Sequence, residues 1–181
     1  MTPSSLTEFF AASAGVAGAL IGLLFVAVSV VHERLTAEEA SQSHRVRADA
    51  ALTSFGNALS VSLISLIPGH TLGWTALIVG VLGVVFVTAS LLLLLRVRSS
   101  QPGAARDSVF LIGMVAIFCL QLVEGVRLIS HPHNSSVADL IAGLVVASFF
   151  VGIGRSWELI GGPTIGLASE MTATVRQRRQ P

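Results

Sequence analysis

Glu124 and Arg127 stand three residues apart inside a long apolar run, and Gln121 lies on the same helical face as Glu124. Ionisable groups within such a run mark ion pathways or internal ion pairs by default. The i,i+3 spacing lets Glu124 pair with Arg127, whose long side chain can reach toward the membrane surface. The alternative is a ring of Glu124 carboxylates repeated in an oligomer, which would favour cations at an outer mouth. Earlier in the chain Thr53, Asn57 and Ser60 share one side of a helix, and Ser54, Ser62 and Ser65 add to the polarity of the same uncharged stretch. Hydroxyl and amide groups in hydrocarbon need partners, because each unsatisfied one costs several kcal/mol. Interhelical hydrogen bonds meet that need for any one residue. Their accumulation points to a water-lined path through Thr53, Asn57, Ser60, Gln121 and Glu124.

Other chemistry is thinner. Arg155 and Glu158 repeat the three-residue spacing at the end of the last apolar run, where interfacial water is expected to solvate them. His131 and His133, with Asp139 nearby, are weak candidates for an external Zn²⁺ site, and two ligands in one loop make no metal motif. His32, Glu33, Glu38, Glu39 and His44 fit no ligand spacing, although protonation of these histidines would bias a gate near neutral pH. The chain has no nucleophile elbow, zincin motif, P-loop or dinucleotide fingerprint, so neither enzymatic activity nor a cofactor is expected. All 11 basic residues are arginine, and the single cysteine, Cys119, excludes a disulfide within this sequence.

The elements that position these residues follow from composition. The 181 residues are 52% hydrophobic and 12% charged, half the charge of a typical water-facing domain at about 25%. A net charge of +1 offers no field for nucleic acid. Five stretches reach the roughly 17–25 apolar residues that cross a bilayer: about 9–31, 48–67, 71–95, 108–129 and 137–160. The second is diluted by its polar residues and competes with a re-entrant reading.

Arginine placement decides between them, because basic residues accumulate in cytoplasmic loops. With five spans, Arg34, Arg45, Arg47, Arg96, Arg98, Arg106, Arg155, Arg176, Arg178 and Arg179 fall on one side and only Arg127 on the other. Without the second crossing the split becomes seven against four. The expected fold is therefore all-α, a polytopic bundle of five transmembrane helices over residues 1–160, with the N-terminus outside. A basic cytoplasmic tail follows over 161–181, where Ile165, Ala168, Met171 and Val175 form a weak apolar stripe. No cleaved leader is expected, since no basic residue precedes Phe9.

Local signals mark the boundaries. Ser5 with Glu8, and Ser136 with Asp139, have capping-box spacing, and Asp107 suits a helix start. Pro68-Gly69 leaves a short connector that makes spans two and three an antiparallel hairpin. Trp74 and Trp157 suit interfacial anchors. Small residues supply close helix approach, which lipid does not drive: Gly15, Gly18 and Gly22 in span one, Gly80 and Gly83 in span three, Gly143 in span five. Packing within one protomer is the stronger expectation for them and an oligomer seam the sharper one.

Residues 9–35, FFAASAGVAGALIGLLFVAVSVVHERL, together with the arginine-bearing loop and the segment ending in Leu66-Ile67-Pro68-Gly69, resemble small actinobacterial polytopic membrane proteins. Some of those are labelled modulators of a membrane-anchored AAA protease. The resemblance covers the first seventy residues or so. It implies a helical membrane fold and a membrane-protein partner, and brings no catalytic residues. The function expected from the residues is a small homo-oligomeric pore or ion-permeation protein of the bacterial inner membrane, cation-preferring through Glu124. The alternative is a non-transporting accessory or regulatory subunit of a larger membrane complex.

Overall fold

The computed structural model describes residues 3–34, 38–67, 72–97, 104–132 and 134–159, with side chains described for 4–30, 47–67, 72–92, 108–132 and 134–159. The described chain is all helical: α1 Pro3–Arg34, α2 Glu38–Ser65, α3 Leu72–Val97, α4 Ala104–Ser130 and α5 Ser135–Leu159. Four helices carry stretches long and apolar enough to cross a membrane, at Ser4–Val30, Leu72–Leu92, Ser108–Ser130 and Ser135–Leu159. The helix α2 does not reach that apolarity. The outward surface suits a membrane-embedded chain, since large apolar side chains such as Leu23, Leu82, Val85, Val109 and Phe150 are exposed on it.

Helix ends fall earlier than the sequence signals place them. Pro3 opens α1, as suits a residue with no N–H to satisfy, so Ser5 lies inside the helix and is not its cap. Asn134, not Ser136, caps α5: its Oδ1 accepts from the Ser136 N–H at 3.2 Å. Helix α4 runs from Ala104, so Asp107 falls in its first turn rather than at its cap, one of the two places that suit an acidic residue at a helix start. The whole stretch from Glu38 is helical, ten residues ahead of the expected second span, because charged residues still form helix where no bilayer boundary has to be drawn. Leu66 and Ile67 turn away from the end of α2, and the expected Pro68-Gly69 connector lies outside the described residues. The apolar stripe expected in the tail, and His133, lie outside the described residues.

Helices α2, α5, α4 and α3 pack each on the next and α3 returns to α2, closing a four-helix ring. Helix α1 lies outside it against α2 and α5. The most extensive contact, α3 on α4, is antiparallel and made by small residues. A Cβ on Gly73 would lie 2.9 Å from Ile129 Cγ1, one on Gly80 3.2 Å from the Leu122 nitrogen, and one on Gly83 would enter the Phe118 ring. Gly125 is tighter still, because its neighbours are backbone: Leu77 N at 2.8 Å and Gly73 O at 3.0 Å. Between α2 and α5 the Phe55 ring lies where a Cβ on Gly152 would be.

Gly15, Gly18, Gly22 and Gly143 behave differently. They are exposed, and a Cβ on any of them meets nothing within 4 Å, so these residues take no part in packing among the described residues. The contrast gives a direct prediction. Gly125→Ala is expected to destabilise the bundle by about 1–3 kcal/mol, because two helix backbones have to separate. Gly18→Ala is expected to leave a monomer's stability unchanged or slightly raised by helix propensity. Thermal unfolding of the two variants in mild detergent separates them, and equal melting temperatures would refute the α3–α4 contact described.

Candidate functional site

Many hydroxyls on the helices are satisfied locally. Thr53 Oγ1 donates to the Asp49 carbonyl at 2.7 Å, Ser54 Oγ to that of Ala50 at 2.8 Å, and Ser148 Oγ to that of Leu144 at 2.9 Å. This bond to the carbonyl four residues back is open to any helical serine or threonine and needs no water. It shrinks the polar face that the sequence attributes to α2. Thr53 and Ser60 are half-buried, and Thr53 spends its hydrogen on its own helix.

Asn57 is different: its amide bonds to side chains of other helices across the bundle. It is 4% exposed. Its Nδ2 donates to Gln121 Oε1 at 3.1 Å and to Ser148 Oγ at 2.9 Å. Gln121, fully buried, donates from Nε2 to the Ala76 carbonyl at 3.4 Å. Each helix of the four-membered ring thus contributes one group to a single network: Asn57 from α2, the Ala76 carbonyl from α3, Gln121 from α4 and Ser148 from α5. Asn57 Oδ1 and Ser62 Oγ are buried with no hydrogen-bond partner. Apolar residues close the surroundings, with Ala58, Val61, Val79, Ile141 and Val145 in one cluster.

Charged groups lie toward the two ends of this interior. Glu124 sits one helical turn from Gln121, its side chain 7% exposed, and its Oε1 accepts from Arg127 Nη1 at 2.9 Å, while the Arg127 side chain is 64% exposed. Arg127 therefore keeps its head in solvent, and the pair contributes little to stability. At the opposite end Arg155 is not solvated as expected for an interfacial residue but fully buried. Its Nη1 donates to Glu158 Oε2 at 2.7 Å and its Cζ lies 4.5 Å over the Phe110 ring of α4. The aromatic face and the carboxylate together stand in for water around the guanidinium.

Two of the expected residues, Asn57 and Gln121, are brought into direct contact, and Glu124 adjoins them. Thr53 and Ser60 lie on the same helix but outside the network. Ser148, Phe110 and Gly125 were missed. The signal for Ser148 was present, a lone hydroxyl midway along an apolar run at a depth comparable to Asn57. His131 is exposed, and among the described residues no group of three or more His, Cys, Asp or Glu side chains is placed to hold a metal. Cys119 is exposed on the outer face of α4. Comparison with protein-family models, curated proteins and solved structures gave no match.

Proposed function

We propose that the chain is a five-span protein of the bacterial inner membrane, N-terminus outside and C-terminus in the cytoplasm, and that each protomer carries a polar cation path inside its own four-helix ring. The observation that carries this reading is the file of buried polar side chains along the bundle axis. Glu124 lies toward one end, the Asn57–Gln121–Ser148 network at the middle, Ser54 beyond it and Arg155 at the other end. By helix rise this file extends over about 15 Å between Glu124 and Arg155, half a hydrocarbon core.

The same burial supports a crossing by α2. Thr53, Ser54 and Ser65 spend their hydrogens on the α2 backbone and Asn57 spends its own on α4 and α5, and the large apolar side chains exposed among its described residues are Leu52 and Leu63. A helix of that kind can cross beside partners although it is too polar to cross alone. The arginine distribution supports the orientation. The open stripe of Gly15, Gly18 and Gly22 on α1 supports assembly of several copies, each with its own path.

Glu124 sets charge preference in this reading. Glu124→Gln is expected to lower cation-over-anion permeability on the order of tenfold in proteoliposomes, a fraction of what one buried charge exerts at close range once Arg127 offsets part of it. Unchanged flux and reversal potential would remove Glu124 from the path. A second reading, the accessory subunit, is favoured by one observation, that the α1 stripe is open while the interior network is mostly closed on itself. It requires a purified protein inert in flux assays and a stoichiometric partner recovered from native membranes.

A further inference from the structure

The two central amides fix each other's orientation. The Ala76 carbonyl can only accept, so Gln121 turns Nε2 toward it and presents Oε1 to Asn57. That oxygen also only accepts, so Asn57 presents Nδ2, spending one hydrogen on Gln121 and the other on Ser148 Oγ. Ser148 spends its one hydrogen on the Leu144 carbonyl. The remainder is Asn57 Oδ1, buried and without a hydrogen-bond partner. Turning both amides over would set Gln121 Oε1 against the Ala76 carbonyl oxygen, so the remainder is a consequence of which group α3 supplies.

We propose that Asn57 Oδ1, with the unused lone pairs of Gln121 Oε1 and Ser148 Oγ one side chain away, anchors a buried site for a dehydrated monovalent cation of the sodium and potassium class. This rests on the polar-path reading and names what occupies the path. A water molecule would bring two hydrogens for these oxygens, but it would also bring lone pairs, and the hydrogens of Asn57 and Ser148 are already spent, leaving only the second Gln121 Nε2 hydrogen to meet them. A cation needs oxygens alone. Neutral amide and hydroxyl oxygens suit a single charge, whereas a divalent ion calls for directly bound carboxylates. Glu124, one turn from Gln121, adds negative potential: its carboxylate is largely buried while the Arg127 guanidinium that pairs with it stands mostly in solvent. The other buried charge, Arg155, lies seven residues from Ser148 on α5, about 10 Å along the axis, and is matched by Glu158.

The test uses the full chain in mild detergent, with sodium or potassium chloride exchanged against choline chloride at constant ionic strength, and thermal unfolding as the readout. One or both of the small cations should raise the melting temperature above its value in choline, saturably, as a ligand bound to the folded state does. Ser148→Ala, which removes one oxygen and keeps the helix, should weaken the apparent affinity at least about tenfold, the loss of one good contact. Asn57→Leu should abolish the response, and if that variant does not fold, Ser148→Ala decides. A wild-type melting temperature that is the same in sodium, potassium and choline overturns the site. So does a cation response that both variants retain. Flux in liposomes without cation-dependent stabilisation leaves the path standing and removes this site, and stabilisation without flux does the reverse.

Discussion

Asn57→Leu is expected to destabilise the bundle by about 1–3 kcal/mol and to reduce cation flux by about tenfold or more, although it makes α2 a more apolar helix. The hydrogen bonds themselves account for the smaller part, since interhelical bonds in membranes average about 0.6 kcal/mol with a maximum near 1.7. The larger part is what the substitution strands. Gln121 is fully buried, and its Oε1 loses the donor it faces. Ser148 keeps its bond to the Leu144 carbonyl and is not stranded. The double variant Asn57→Leu/Gln121→Leu is therefore expected to be more stable than the single one, because removing both partners leaves neither position with an unsatisfied oxygen. It should still fail to conduct. Denaturation of wild type, single and double variants in detergent gives the comparison, with liposome flux as the second measurement. A double variant no more stable than Asn57→Leu would falsify the network as the source of the loss.

Arg155→Met is expected to be the most damaging single substitution, costing about 3–5 kcal/mol. Two effects combine. The guanidinium leaves the Phe110 face, an interaction worth about 2 kcal/mol when water is excluded, and Glu158 loses the guanidinium contact it makes at 2.7 Å, one of its interactions. The Glu158 side chain is only 9% exposed, so water reaches its charge poorly. A solvated interfacial pair would lose about 1 kcal/mol or less, so the size of the effect measures the burial. Replacing both partners with residues of similar volume, Arg155→Met with Glu158→Gln, is expected to recover most of the stability, as happens when a buried ion pair is removed whole. The measurement is again thermal or chemical unfolding. A single-variant loss under about 1 kcal/mol would mean that the guanidinium lies in water.

The sequence determined that the chain is helical and built mainly of apolar segments, because length and hydropathy are local quantities that survive without knowing any neighbour. The four most apolar helices were legible for that reason. So were the residue types of the site, since an asparagine or a glutamate in an apolar run declares itself. What those residues touch was not legible. Gln121 lies 64 positions from Asn57 and Ser148 lies 91, and their meeting depends on the register of three helices against one another.

The glycines make the same point. Gly18 and Gly22 on α1 look no different in sequence from Gly80 and Gly83 on α3, yet only the second pair is covered. The difference is that α3 lies in the ring beside α4 while α1 lies outside it. Arg155 stands near a helix end, which by sequence reads as a solvated position; the Phe110 ring of a neighbouring helix took the place of that solvent. Local composition fixed which groups would need partners in an apolar medium. Only the packing of one helix on another decided which partner each received, because side-chain contacts depend on distances in space that no spacing along the chain encodes.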